Sequence, residues 1–119
     1  MEESACLHSI PFSAILSTTE VSRRVGPEIK IKVLNTYGLH ARPAAAIVRA
    51  LRPFSAEAAI TYRRKTANAR SVLGLLMLGV PCGSSVLIKA WGSDADAVLK
   101  VLEGLFLGRF HEGAEHAGL

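Results

Sequence analysis

The feature that most constrains this chain is a change of period in its apolar residues between Glu28 and Leu51. Ile29, Ile31 and Val33 alternate with Lys30 and Lys32, the period of two that turns one face of a strand inward and the other to water. After Asn35-Thr36-Tyr37-Gly38 the spacing becomes i, i+3, i+4, i+7 at Ala44, Ile47, Val48 and Leu51. That is the stripe of an amphipathic helix. Pro43 reads as its first residue, where no backbone donor is needed, and Pro53 marks its end.

The same reading continues toward the C-terminus. Glu57 to Tyr62 and Thr66 to Ala69 form two short strands around a turn at Arg63-Arg64-Lys65. Ser71 caps a short helix from Val72 to Leu78, which Gly79 and Pro81 close. Ser85 to Trp91 is the last strand, and Trp91 reads as core. Ser93 and Asp96 have capping-box spacing ahead of the apolar face Ala95, Val98, Leu99, Leu102, Leu105 and Phe106, a helix that Gly104 weakens and Gly108 ends. The order β-α-β-β-α-β-α has connections too short for a doubly wound sheet. It predicts an α+β fold with helices on one face of a mostly antiparallel sheet.

Residues 1–27 show no sustained period and end in Val25-Gly26-Pro27, so they read as a flexible extension before a domain over 28–107. Residues 108–119 hold three of the ten glycines and read as a loosely ordered tail. With 119 residues, half of them hydrophobic, the chain can bury a core without disulfide or metal staples. Cys6 and Cys82 have no C-x-x-C partner and read as free thiols, neither a metal site nor a redox pair.

The longest apolar run, Val72 to Val80, is broken by glycines and falls far short of the roughly 20 residues a membrane span needs. The acidic start Met1-Glu2-Glu3 is unlike a secretory signal, which places the expected compartment in the cytoplasm. The net charge of +4 is diffuse, because seven Lys/Arg stand against five Asp/Glu on each side of Ile60. With 6% aromatics as well, the chain offers no nucleic-acid surface beyond a solvated turn at Arg63-Arg64-Lys65.

Two enzyme-like motifs fail on their chemistry, and two others are absent. Gly74 to Gly79 has the glycine spacing of a phosphate-binding loop, but Val80-Pro81 stand where Lys and Ser/Thr must meet phosphate and magnesium. His111-Glu112 and His116 place two histidines five apart, on different faces of any helix. Neither a G-x-S-x-G elbow nor a G-x-G-x-x-G fingerprint occurs, so no cofactor is expected.

What remains is Gly38-Leu39-His40-Ala41-Arg42-Pro43-Ala44, an imidazole in the loop that leads into a helix. A helix entrance offers unpaired N–H groups and the positive end of the dipole, which together favour an anion. An imidazole keeps a nitrogen lone pair at neutral pH, the nucleophile that accepting a phosphoryl group requires. Arg42 adds a permanent cation two residues on. These residues by themselves describe an anion or phosphate site built around a histidine, beside the plainer reading of His40 as a helix cap.

The histidine motif, the run Asn68-Ala69-Arg70-Ser71-Val72-Leu73-Gly74-Leu75-Leu76-Met77-Leu78-Gly79, and the strand and helix from Gly83 to Phe106 resemble the HPr family. These are the histidine-containing phosphocarriers of the bacterial phosphoenolpyruvate-dependent phosphotransferase system. The resemblance implies an open-faced β-sandwich, a four-stranded antiparallel sheet covered on one face by helices. It implies a carrier rather than an autonomous catalyst: His40 takes a phosphoryl group on Nδ1 from phosphorylated enzyme I and passes it to a downstream enzyme II component for sugar uptake, with Arg42 stabilising it. It further implies that Ser71 aligns with the serine modified by HPr kinase/phosphorylase, and that Val72, Leu75 and Leu76 present a docking face. Tyr37 beside Gly38 and Arg70 before the serine depart from the common pattern. Two alternatives stay open: the nitrogen-related branch of the same system, and a regulatory binding module that uses Ser71 and the helix face without carrying phosphate.

Overall fold

The computed structural model describes residues 21–111. Its elements in chain order are β1 (Glu28–Lys32), α1 (Ala41–Leu51), β2 (Glu57–Tyr62), β3 (Lys65–Asn68), α2 (Val72–Met77), β4 (Ser85–Trp91) and α3 (Ala95–Leu107), followed by a 3-10 turn over Arg109–His111. The strands form one sheet in the order β1-β4-β2-β3, antiparallel at every pairing. This is the expected α+β architecture. Among the described residues, no helix is long and apolar enough to cross a membrane.

Alternation along the strands places the core. Ile31 of β1 pairs with Val86 of β4, and Ile88 of β4 with Ile60 of β2. All four turn to the face on which Ile47, Leu51, Leu75, Val98, Leu102 and Phe106 are buried. Burying each such side chain is worth about 1.5–3 kcal/mol, so this one layer dominates the stability of the fold. The intervening residues Lys30, Leu87 and Lys89 turn to the opposite face.

Four local expectations change. The β2–β3 turn has two residues, Arg63 and Arg64, and β3 begins at Lys65, one residue earlier than the pattern indicated. Arg63 takes φ +57°, because a two-residue hairpin link must match the twist of its strands. Helix α1 begins at Ala41, so Pro43 is its third residue rather than its first. Helix α3 starts from Asp94, not Ser93. Trp91, expected in the core, is only half-buried, since its position in β4 alternates with the core residue Ala90 and the Arg24 guanidinium lies 5.8 Å from its ring.

The margins of the domain also pack. Val21 is buried beside Thr61, Leu87 and Lys89, and the Lys89 ammonium donates to the Ser22 carbonyl at 3.3 Å. Gly26 passes so close to β4 that a Cβ there would strike the Ala90 carbonyl. Phe110 is buried against Phe106, edge to face with ring centres 4.8 Å apart, so the expected loose tail does not begin at Gly108. The rest of the extension with Cys6, the His111 side chain, and the tail with Glu112 and His116 lie outside the described residues.

Candidate functional site

The site begins with a turn that fixes the backbone ahead of α1. The Gly38 amide donates to the Asn35 carbonyl at 3.0 Å, and the buried Asn35 carboxamide donates back to the Gly38 carbonyl. Gly38 takes φ +71° and lies against Val80, Pro81 and Cys82, where any side chain would collide with the Val80 carbonyl. Only glycine meets both demands. The next residue is anchored as well: the Leu39 amide donates to the Val80 carbonyl at 2.9 Å and its side chain is buried.

His40 follows as the N-cap of α1, with extended backbone at φ −101° and ψ −166°. Its amide donates to the Gly38 carbonyl at 3.1 Å, and its carbonyl accepts the first helical bond from Ala44 at 3.0 Å. Its side chain makes no capping hydrogen bond. The register removes one of the usual donors: a cap side chain normally takes the amide of the second or third helical residue, and here the third is Pro43, which has no N–H, while the imidazole does not take the Arg42 amide either. The imidazole is therefore not spent on the helix, and its ring meets Tyr37 edge-on at 5.9 Å between centres and 83° between planes. Arg42 is the second residue of α1 and exposed, on the turn whose amides point out of the helix.

Ser71 occupies the matching position on α2, which packs against α1. Its hydroxyl accepts the Gly74 amide at 3.0 Å, the third residue of that helix, so it is a working N-cap. Beside it, Arg70 is committed to the fold. Its guanidinium donates to the carbonyls of Leu51, Phe54 and Ala56 at 2.9, 2.7 and 2.8 Å, clamping the end of α1. Asp94 clamps the same connection from the other side, accepting the amides of Ser55 at 3.0 Å and Ala56 at 2.6 Å. These bonds, the one from Ser55 foremost, hold its carboxyl below the usual aspartate range, against some opposition from desolvation.

The docking face expected at Val72, Leu75 and Leu76 is corrected at one position. Leu75 is fully buried in the core and Val72 is partly buried against it, whereas Leu76 is exposed together with Leu73 and Met77. On so short a helix, the residue that faces inward is chosen by packing against α1 and β3. Sequence reasoning also missed the roles of Asn35, Arg70 and Asp94. Asn35 carried a usable signal, since an asparagine three residues before a glycine favours a side-chain-locked turn. Arg70 and Asp94 reach partners 14 to 39 residues away and carry no local signal. Cys82 is an exposed free thiol near the Leu34 carbonyl.

Comparison with known proteins agrees with this geometry. The family model described as the PTS HPr component phosphorylation site matches residues 27–107. The phosphocarrier protein HPr of Treponema pallidum is 37% identical over 82 residues, which span 69% of this chain and 93% of that protein. The phosphocarrier protein NPr of Shewanella violacea is 38% identical over 87 residues, 73% of this chain and 96% of that one. Among solved structures, HPr of Thermoanaerobacter tengcongensis superposes with a TM-score of 0.68 at 37% identity, covering 71% of this chain and 94% of its own.

Proposed function

The chain belongs to the PTS HPr family and is a phosphocarrier of the phosphotransferase system, and we propose that His40 is the residue that carries the phosphoryl group. The observation that supports this most directly is an N-cap imidazole with no capping bond, at a helix entrance whose third residue is proline. In the transfer, the lone pair of His40 Nδ1 attacks the phosphorus of a phosphorylated donor protein. A nitrogen–phosphorus bond forms, the bond from phosphorus to the donor atom breaks, and its electron pair returns to the donor. The second transfer runs the same exchange toward the acceptor.

Arg42 and the outward amides of the first turn of α1 face the phosphoryl oxygens. A charge-assisted bond from Arg42 is worth roughly 1.5–3 kcal/mol, and the helix terminus roughly 0.3–1 kcal/mol, so the arginine dominates. Enzyme I is the donor in this reading, an enzyme II component the acceptor, and the cytoplasm the compartment. Carrying is assigned to residues 28–107, on which Val21 and Phe110 also pack, and a chain beginning at Pro27 tests by its transfer rate and its melting temperature whether the segment before it matters for stability alone. Val72, Leu73, Leu76 and Met77 are the α2 residues available to partners, and a phosphate on Ser71 would place about −1.5 to −2 charges beside them, slowing docking without melting the helix. HPr kinase/phosphorylase is the partner that would add it.

The test mixes the protein with enzyme I and phosphoenolpyruvate and seeks acid-labile, base-stable phosphate by mass spectrometry. The expected adduct maps to His40. Phosphate on another histidine, or none, overturns the assignment. Offering the charged protein to sugar-branch and nitrogen-branch acceptors in parallel then reads which branch it serves.

A further inference from the structure

We propose that Tyr37 is a positioning residue for phosphoryl transfer, its ring holding the His40 imidazole in the orientation that presents Nδ1 to the donor. The inference rests on the reading of His40 as the phosphoryl carrier and adds a residue that the histidine motif does not contain. An imidazole on an N-cap without a capping bond has a broad, roughly two-fold torsion about its last side-chain bond. Half a turn about that bond exchanges Nδ1 with a carbon, and the nucleophile then points away from the phosphorus. Something other than the helix must select the productive state.

Tyr37 is the aromatic neighbour in place to do so. Its ring centre lies 5.9 Å from that of His40 with the planes 83° apart, an edge-to-face arrangement of the kind aromatic pairs prefer. The point from which the ring projects is set by the backbone. Tyr37 lies inside a turn closed by the Gly38 amide on the Asn35 carbonyl, tightened by the buried Asn35 side chain. Immediately after it, Gly38 is wedged against the Val80–Cys82 segment and Leu39 is bonded to Val80. From that fixed point the ring's edge-to-face contact with His40 favours one orientation of the imidazole. The ring is also 78% exposed, so its removal takes little from the core.

The experiment compares wild type with Tyr37→Ala, Tyr37→Phe and His40→Ala, measuring phosphorylation by enzyme I over a range of enzyme I concentrations. Positioning predicts that Tyr37→Ala lowers the maximal rate about three- to tenfold with the half-saturating enzyme I concentration unchanged, and that Tyr37→Phe keeps the wild-type rate. Side-chain scalar couplings and ring-to-ring cross-peaks in NMR should show one His40 orientation in wild type and Tyr37→Phe, and averaging in Tyr37→Ala. A raised half-saturating concentration at unchanged maximal rate would make Tyr37 a partner anchor and overturn the proposal, as would equal rates in all three tyrosine-site proteins. Loss of rate in Tyr37→Phe equal to that in Tyr37→Ala would assign the effect to the hydroxyl and overturn it too. If His40→Ala still accepts phosphate, the carrier reading fails and this one with it. An inactive His40→Ala beside a wild-type Tyr37→Ala removes the role of Tyr37 alone.

Discussion

Helices α1 and α2 enter the fold alike and differ in what their cap side chains bond. Both have an extended N-cap, His40 at ψ −166° and Ser71 at ψ 112°, and the two helices pack against each other. At α2 the third residue is Gly74, whose amide the Ser71 hydroxyl takes at 3.0 Å. At α1 the third residue is Pro43, which has no amide, and the His40 side chain makes no capping bond. One entrance closes on itself and serves stability. The other leaves its cap side chain unbonded to the helix, and proline removes one of the two donors that could claim it.

The comparison breaks first at His40. His40→Ala should abolish phosphoryl acceptance and leave the melting temperature unchanged, since the side chain makes no capping bond; a large fall in melting temperature would show that this entrance is structural after all. Next comes Arg42→Ala, expected to slow acceptance about tenfold or more without ending it, the value of one charge-assisted bond. Phosphorylation kinetics check this, and an unchanged rate would leave the phosphoryl oxygens to the amides alone.

Ser71→Ala sharpens the opposite side. Losing the cap should cost about 1 kcal/mol, which for a domain of this size is a fall in melting temperature of roughly 4–8 °C, with acceptance at His40 retained. Calorimetry reads the first effect and the enzyme I assay the second. Ser71→Asp keeps a capping oxygen, so its helix signal in circular dichroism should match wild type while enzyme I phosphorylation slows.

The smallest effect belongs to Asp94, the N-cap residue of α3, whose carboxylate makes no capping bond to its own helix and accepts another segment's amides instead. Because the Ser55 amide, with that of Ala56, holds its folded-state pKa below that of the unfolded chain, Asp94 contributes stability above the ordinary aspartate range. That contribution is lost as pH falls through the lowered value, from about pH 4 downward. Unfolding of Asp94→Asn across this range should depend less on pH than that of wild type, and parallel curves would assign the acid sensitivity to other groups.

How much of this was legible depends on how far a residue reaches along the chain. The strand alternation at Ile29 and Ile31, the stripe at Ala44, Ile47 and Leu51, and the Ser71 cap are set within a few residues by backbone geometry, so spacing alone revealed them. The histidine ahead of a proline-containing helix was legible for the same reason. Its freedom from capping was not, because that depends on where the helix starts and on how the imidazole is oriented in the folded loop.

Sequence by itself therefore determined the order of the elements, the face each strand and long helix turns inward, and which loop carries the imidazole. The tertiary structure decided the rest. It chose Leu75 over Leu76 for the core and gave Arg70 the carbonyls of Leu51, Phe54 and Ala56. It also gave Asp94 the amides of Ser55 and Ala56, buried Phe110 on Phe106, and set the Tyr37 ring against His40. Most of these contacts satisfy a polar group or cover an apolar one with atoms supplied from a distant part of the chain. The Tyr37 contact spans only three residues, yet the turn that creates it is braced by Val80, which no local pattern can announce.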